Sequence, residues 1–511
     1  MSYPLEHPRS TIVPHVDTPQ SRSLCGVARC DITPPVGIYH RMWGAATHDR
    51  STGVHRPLTA TALVLRNLAA GPASGGNSSI DPADELALIA VDHCLLWSRE
   101  MAALRSAVAE GAGLTPEQVL VLFSHTHAAG LMGLERRDLP GGELIEAYLD
   151  ELGGKLAAIV SQARATLQPV TITYGQGRCD LAAHRDFWDT DNGHWVCGYN
   201  PQGPADDTLL VARITDHAGS TLATLVNYAC HPTTLAWQNT LISPDYPGAM
   251  REVIESATGA PAIFVQGASG DLGPKHGYVG DTAVADANGR KLGYAALAAL
   301  ESPPPPGTRF EYGGPVISGA VIGTWEHVQL DTEALRPKEA WQFRRSCIDL
   351  ALRPGLPSID DLRRERERLL AEEQQARTAG DAARARDYRA QAEVKTRQLV
   401  RLGNLPAGPV FPFPLQLLKL GDAVWLAIEA EHYQLLQTAL RSRFPGTPLV
   451  VATLVNGSLP TYLPTRETYG TGIYQETVAL LAPGSLEHLI EAIGGQISEL
   501  LARPVPLRAR S

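Results

Sequence analysis

The sequence predicts an α/β fold, with a mixed β-sheet core flanked by helices. Two observations support this prediction. Short runs of aliphatic and β-branched residues recur along the chain, and several of them end in a polar cluster. Amphipathic segments of helical length lie between some of these runs. The predicted strands cover residues 86–91, 119–123, 222–226, 262–265, 424–428 and 449–455.

Predicted helices separate many of these strands. The proline-rich segment 302–307 is stiff, and we interpret it as a connector between two halves of one catalytic body. A single domain is therefore predicted over residues 20–505, after an N-terminal tail over 1–19. The predicted helices cover residues 99–110, 143–165, 247–256, 432–443 and 486–501.

A charged insertion is predicted over residues 357–402. From residue 359 onward it is rich in Arg, Glu, Ala and Gln and almost free of β-branched residues, which is typical of a helix. Gly380 followed by Asp381 indicates a helix stop and then an N-cap, so we predict two antiparallel helices in a hairpin. A solvated surface hairpin is the simplest interpretation. A lid or a contact in a homo-oligomer is the functional alternative.

The composition is typical of a globular protein and bears on which classes of partner it binds. The 511 residues, 44% hydrophobic and 19% charged, suffice for a sizeable core. A net charge of −10 without a basic stripe argues against nucleic acid as a partner. The start of the chain lacks a secretory signal, and no window approaches the roughly 18 apolar residues of a membrane helix. The seven scattered cysteines fit reduced thiols, so we expect a cytoplasmic protein without stable membrane anchoring.

His125 and His127 follow the predicted strand over 119–123. If strand geometry continues, residues two apart project from one face, and both imidazoles lie together. Such a pair can bind a metal, or divide into one ligand and one proton-transfer group. The alternative is a polar loop with satisfied histidines.

Polar residues at the other strand ends provide partners for this pair. Loops are polar in any protein, but the density of His, Asp and Glu favours one shared site. A zinc hydrolase needs three or four N or O ligands, one position being left for water or substrate. Spacing alone does not select them, and the local His-Glu-x-x-His motif is absent. The candidates are His125, His127, His231, Glu429, Glu431 and His432.

Six segments in chain order carry a family resemblance. They are 26–34 (Gly-Val-Ala-Arg-Cys-Asp-Ile-Thr-Pro), 42–45 (Met-Trp-Gly-Ala), 53–60 (Gly-Val-His-Arg-Pro-Leu-Thr-Ala), 124–127 (Ser-His-Thr-His), 227–232 (Asn-Tyr-Ala-Cys-His-Pro) and 266–274 (Gln-Gly-Ala-Ser-Gly-Asp-Leu-Gly-Pro). In these segments the chain resembles the catalytic domain of the neutral ceramidases, zinc-dependent amidases that cleave the N-acyl bond of ceramide. The resemblance extends over most of the chain.

The resemblance implies a zinc ligand set. Carried over position by position, the family's ligands fall on His125, His231, Glu431 and Tyr462. Glu429 is a rival to Glu431, because the local sequence Glu-Ala-Glu-His departs from the family's Pro-Gly-Glu-Phe. Tyr462 matches with a one-residue shift, and its alternative is an ordinary packed tyrosine.

Two catalytic residues are also implied. His127 is expected to hydrogen-bond the metal-bound water or protonate the leaving amine, or else only to orient a ligand. Arg185 matches an arginine that contacts the substrate near the reacting carbonyl, where a guanidinium stabilises oxyanion charge. Its alternative is a surface salt bridge with Asp186 or Asp189.

The sequence departs from the family at two places. The serine of the family's Gly-Asp-x-Ser-Pro segment is replaced by Gly273, and Ser269 lies too early to take over its role. The chain ends at Ser511, so no C-terminal β-sandwich domain is expected. Both departures favour a small or soluble substrate over ceramide in a bilayer.

These implications predict a Zn²⁺-dependent amidohydrolase that cleaves an N-acyl C–N bond of a small-molecule amide by metal-activated water. A metal-dependent esterase, lactonase or phosphatase is one alternative. A catalytically silent metal-binding scaffold protein is another, and the loss of the serine at Gly273 motivates it.

Overall fold

The computed structural model describes residues 13–70 and 81–502, so the predicted tail over 1–19 and the domain end at 505 lie partly or wholly outside the described residues. The fold combines strands and helices in one α/β architecture. The strands of the first half are β1 (His15–Val16), β2 (Gln20–Asp31), β3 (Gly53–Val54), β4 (Thr59–Arg66), β5 (Glu85–Val91), β6 (Val119–Phe123), β7 (Gln168–Arg178), β8 (Ala182–His184), β9 (Asp186–Asp189), β10 (His194–Cys197), β11 (Thr208–Thr215), β12 (Thr221–Tyr228), β13 (Leu241–Ile242) and β14 (Ala262–Gln266).

The second half adds further strands, and ten helices are distributed along the described residues. The remaining strands are β15 (Leu272–Pro274), β16 (Thr308–Ile317), β17 (Val321–Gln329), β18 (Trp341–Ala351), β19 (Val410–Leu420), β20 (Ala423–Ile428), β21 (Glu431–His432), β22 (Leu449–Ala452) and β23 (Tyr462–Leu463). The helices are α1 (Ser98–Ala112), α2 (Ile145–Ala165), α3 (Tyr246–Thr258), α4 (Thr282–Glu301), α5 (Thr332–Leu335), α6 (Ile359–Thr378), α7 (Ala382–Gly403), α8 (Leu435–Arg443), α9 (Tyr474–Val478) and α10 (Ser485–Ala502).

Two mixed sheets form the core. The larger has the strand order β14-β12-β11-β7-β2-β4-β5-β6, and the smaller has the order β18-β19-β20-β22. Their inner faces pack on each other, while α1 to α4 cover the outer face of the larger sheet and α8 and α10 cover the smaller one. The predicted mixed sheet flanked by helices is therefore confirmed.

Strand β5 shows why the predicted strands are continuous apolar runs. Leu86 and Leu88 face the smaller sheet, whereas Ala87, Ile89 and Val91 face the helices on the other side. Because both faces are buried, residues 86–91 are apolar throughout, and Glu85 at the start of the strand is the one polar residue in it.

Three β-α-β units position the polar loops. In β5-α1-β6, β12-α3-β14 and β20-α8-β22 the two strands are parallel, so both carboxyl ends point the same way. The other main pairings are antiparallel. The segments after β6, β12, β14 and β20 hold most of the predicted site residues, which explains how positions far apart in sequence come together.

The predicted hairpin is formed by α6 and α7. Ser358 caps the first helix, and the Asp381 side chain accepts a hydrogen bond from the Arg384 backbone N–H at 3.0 Å to begin the second. Rather than projecting into solvent, α7 packs on the loop 40–49. Val400 joins a small apolar cluster there with Met42. No helix among the described residues is long and apolar enough to cross a membrane.

Candidate metal centre

The loop after β6 brings His125 and His127 together in an unexpected way. The strand ends at Phe123, and His125 has a left-handed backbone with φ of +66°, so strand geometry does not continue. The two rings nevertheless converge, with their Nε2 atoms 3.4 Å apart. The premise of strand alternation was wrong, and the observed proximity results from a turn in the backbone instead.

His231 and Glu431 complete a compact cluster with His125. The Nε2 atoms of the two histidines lie 3.1 Å apart. One Glu431 carboxylate oxygen lies 3.0 Å from Nε2 of His231 and 3.3 Å from Nε2 of His125. All three side chains are buried. Residues from three separate β-α-β units thus present ligand atoms within 4.8 Å of one another.

Backbone carbonyls orient both imidazole rings. Nδ1 of His125 lies 2.7 Å from the Cys94 carbonyl oxygen, and Nδ1 of His231 lies 2.7 Å from the Ser269 carbonyl oxygen. Because a carbonyl only accepts hydrogen bonds, we assign the protons to Nδ1 in both rings. The Nε2 atoms then face Glu431, which is the arrangement typical of histidine ligands held by outer hydrogen bonds.

The electrostatics of this cluster fit a divalent cation. Burial lowers the pKa of His231 to about 3, so its ring is neutral. Burial alone would raise the pKa of Glu431, but His125 and His231 hold it well below its usual range. Burial alone would lower the pKa of His125, but Cys94 and Glu431 hold it well above its ordinary value. The buried carboxylate is therefore balanced by a cation, which is either a proton on His125 or a bound metal ion. Neutral imidazoles with one carboxylate are ligands that zinc prefers.

Glu429 points away from this cluster. Ala430 has φ of +71°, and this turn separates the side chains of the two glutamates. A Cβ atom placed on Gly457 would lie 3.5 Å from Glu429 Oε2, so its carboxyl group faces the 457 loop. Burial raises the pKa of Glu429 to about 8, and Glu431 alone of the two belongs to the group of converging ligand atoms.

Tyr462 lies at the edge of the cluster. Its hydroxyl oxygen is 3.3 Å from Nε2 of His231, and its ring lies nearly parallel to that imidazole. Pairing of Glu431 with Tyr462 in the short parallel β21–β23 sheet fixes their relative position. Upstream, Asn456 pairs with Val121 of β6, since its backbone N–H donates to the Val121 carbonyl at 2.8 Å and its side-chain oxygen accepts from the Val121 N–H.

Arg185 is buried next to Tyr462 rather than exposed in a surface salt bridge. Its Nη2 atom donates to the Gly270 carbonyl at 2.6 Å, and its guanidinium carbon lies 5.4 Å from the centre of the Tyr462 ring. Gly270 itself allows a close approach, because an added Cβ would lie only 2.8 Å from the carbonyl oxygens of Glu431 and His432. The Nε atom of Arg185 has no hydrogen-bond partner.

His127 lies on the accessible side of the cluster. It is half-buried, and the ring of Trp43 lies 5.2 Å from its ring centre. Trp43 in turn contacts Trp237 and Tyr278 edge-on, so these aromatic rings line the approach to the histidines. Burial and the neighbouring His125 lower the pKa of His127 well below its ordinary value, which keeps its ring neutral.

Polar residues at other strand ends stabilise the fold instead of contributing ligands. Asp92 forms a bidentate ion pair with Arg251, and His93 lies 2.6 Å from the Tyr148 hydroxyl. His432, a sequence candidate, turns away from the ligands and packs against Phe413. Sequence reasoning assigned no role to Trp43, Tyr278 or the carbonyls of Cys94 and Ser269. The 42–45 segment was the one available signal for Trp43.

Two solved ceramidase structures share this fold. The neutral ceramidase from Pseudomonas aeruginosa superimposes over 97% of this chain and 77% of its own, with a TM-score of 0.62 and 18% sequence identity. A second structure, a ceramidase complexed with C2, has the same TM-score and coverage at 17% identity. No protein-family model and no curated protein sequence matches the chain. The chain therefore has the fold of the neutral ceramidases, as the sequence resemblance predicted.

Proposed function

We propose that the protein is a zinc-dependent hydrolase that cleaves an N-acyl C–N bond of a small or soluble amide. The observation that carries the proposal is the buried convergence of His125, His231 and Glu431, with His127 next to His125 and Arg185 next to Tyr462. The shared fold with ceramidases supports an amide as the substrate class. The reaction adds water across the amide bond and gives a carboxylic acid and an amine.

The fit of the residues to zinc rests on their donor chemistry. His125, His231 and Glu431 would hold the ion, and Tyr462 would add its hydroxyl oxygen at the edge of the site. When bound, zinc supplies a Lewis acid that polarises a carbonyl and makes water a stronger nucleophile at neutral pH.

His127 would move the proton. Its neutral ring can take a proton from the attacking water and return it to the leaving nitrogen, and its exposed side gives it access to both. The aromatic side chains around it would limit access of bulk water and orient the substrate.

Arg185 would stabilise the negative charge that develops on the carbonyl oxygen. A buried guanidinium acts in a low-dielectric environment, where a preorganised cation is worth more than in water. Because water is the nucleophile in this scheme, the replacement of the family serine by Gly273 leaves the scheme intact.

The test combines metal analysis with a substrate panel. Protein prepared without chelators should contain close to one zinc per chain, and it should hydrolyse N-acyl amides faster than matched esters and phosphates. Less than about half a zinc per chain, or activity confined to esters or phosphates, would contradict the proposal.

A further inference from the structure

Gly273 opens a polar recess beside the candidate metal centre. A Cβ atom added there would lie 3.8 Å from Thr233 Oγ1, 3.8 Å from the Tyr278 hydroxyl and 3.9 Å from Arg185 Cδ. These are ordinary contact distances, so the space next to Gly273 is bounded by three polar side chains. Tyr278 also contacts Trp43, which lies over His127. The recess is therefore bordered by Arg185, and Tyr278 and Trp43 connect it to His127.

Two polar atoms around this recess, Thr233 Oγ1 and Arg185 Nε, are buried without a well-formed hydrogen bond. Thr233 is 1% exposed and Arg185 is 3% exposed. Neither Thr233 Oγ1 nor Arg185 Nε meets hydrogen-bond geometry with any group, although the Tyr278 hydroxyl is close to Thr233. A buried hydroxyl or guanidinium N–H without a partner is costly, and binding sites are where such groups obtain a partner from the ligand.

The backbone holds Thr233 firmly in this position. Its N–H donates to the His231 carbonyl at 2.8 Å, and its own carbonyl accepts from the Tyr278 N–H at 2.9 Å. Strand β15, which contains Gly273, pairs with β8 just before Arg185. The two unpaired donors are thus fixed by backbone contacts, as preorganised substrate contacts are.

We propose that Thr233 is a substrate-binding residue, whose hydroxyl donates a hydrogen bond to a substrate oxygen that also faces Arg185. This inference rests on the proposed function. On this view a hydroxyl from the segment after β12 occupies the region where a serine at position 273 would project. The substrate class is narrowed to amides whose acyl carbonyl or adjacent oxygen can reach both donors.

The test uses five proteins loaded with zinc: the wild type, Thr233→Val, Thr233→Ser, Thr224→Val and the double variant Thr233→Val with Gly273→Ser. Thr224 is the matched control, because it is also a fully buried threonine with an unpaired hydroxyl, but it lies within strand β12. The measurements are kcat/KM on the best amide of the panel, and the Kd of acetohydroxamate by calorimetry at equal zinc content, since this hydroxamate binds zinc and also presents an acyl carbonyl oxygen.

Thr233→Val is expected to lower kcat/KM and to weaken acetohydroxamate binding roughly 10- to 100-fold, as for a hydrogen bond to a charged or polarised oxygen. Thr233→Ser and Thr224→Val should stay within about threefold of the wild type. The double variant should recover most of the loss, because the new serine hydroxyl reaches the same recess. Equal effects of Thr233→Val and Thr224→Val, or no recovery in the double variant, would overturn the inference.

Acetohydroxamate binding separates this inference from the proposed function. If the zinc-loaded wild type hydrolyses no amide, the proposed function fails, while the Kd comparison still decides the role of Thr233. Unchanged binding by Thr233→Val would then refute the role, and a tenfold weaker Kd that the double variant restores would support it.

Discussion

His125 and His231 face each other through their Nε2 atoms at 3.1 Å, although 106 positions separate them in the sequence. A backbone carbonyl accepts a hydrogen bond from Nδ1 of each ring, which holds both Nε2 atoms toward each other. Glu431 adds a carboxylate oxygen to the same point. The folded chain therefore brings together three groups that can bind one cation, and binding of a metal to the folded state alone would link the stability of the fold to the metal.

Zinc removal should therefore destabilise the wild type. At free zinc 1,000-fold above Kd, binding to the folded state alone contributes about 4 kcal/mol to the free energy of unfolding. Adding a chelator should lower the melting temperature of the wild type, measured by calorimetry. His125→Ala should melt at one temperature with or without chelator. A chelator effect of equal size in both proteins would place the metal elsewhere.

Glu431 and Glu429 offer a matched pair of substitutions. Glu431→Gln removes a carboxylate from the ligand cluster and should reduce bound zinc to below about a tenth per chain, because a neutral amide is a poor zinc ligand. Glu429→Gln should leave the zinc content near the wild-type value, since its carboxyl faces the loop at Gly457. Metal analysis of both dialysed proteins checks this, and the reverse order of zinc contents would contradict the assignment.

His127 should be needed for turnover and dispensable for metal binding. His127→Ala is expected to retain zinc and to lower kcat by about 10²- to 10⁴-fold, the usual contribution of a positioned proton-transfer group. His194, an exposed histidine on β10, provides the control, and His194→Ala should not change either quantity. Loss of zinc in His127→Ala would show that His127 is a ligand instead.

Sequence reasoning predicted six strands of the two core sheets, because each is a short continuous apolar run that ends in polar residues. It missed the other six, which are β2, β4, β7, β11, β18 and β19. It predicted correctly that His127 lies beside His125, but for a wrong reason. The φ of +66° at His125 depends on the tertiary contacts around the loop. It also extended the strand at 449 to residue 455, whereas β22 ends at Ala452 and Asn456 turns to pair with β6. Such contacts between distant segments leave no local pattern.

Helix α4 was missed for a different physical reason. Glycine has a low helix propensity, and this segment contains two of them. The structure shows why they are present: a Cβ atom on Gly289 would lie 2.3 Å from the Tyr246 carbonyl oxygen, so the glycine permits close packing of α4 on α3. The role of Trp43 could likewise not be predicted, because loop residues have no periodicity that reveals their neighbours.

Glu393 predicts an acid-sensitive contribution to stability. Burial alone would raise the pKa of this carboxyl, but Arg136 and Arg397 hold it at about 2, below its ordinary value of 4.5. A lowered carboxyl pKa means that the stabilisation is complete above pH 4.5 and is lost as the pH falls through 2. Between pH 6 and pH 3 the wild type should lose roughly 2 kcal/mol more unfolding free energy than Glu393→Gln. Urea titrations at both pH values measure this, and parallel losses would contradict it.

Arg397 connects the helical hairpin to the loop that carries Trp43. Its Nη2 atom donates to the Met42 carbonyl at 2.5 Å, and its Nε atom donates to Glu393 at 3.0 Å. Arg397→Met removes this charged donor and should lower the free energy of local opening of the 40–49 loop by about 1–2 kcal/mol. Hydrogen exchange at the His40 and Ala46 amides, which donate within the loop, should then become roughly 5- to 30-fold faster.

The control for this change lies on the same helix. Arg386 is exposed and pairs with Asp387 at 3.7 Å, so Arg386→Met should leave exchange in the 40–49 loop unchanged. Exchange that rises equally in both variants would mean that the helix as a whole has loosened. A rise confined to Arg397→Met would show that the hairpin stabilises the loop that carries Trp43, whose ring lies beside His127. The hairpin would then be more than a solvated surface element.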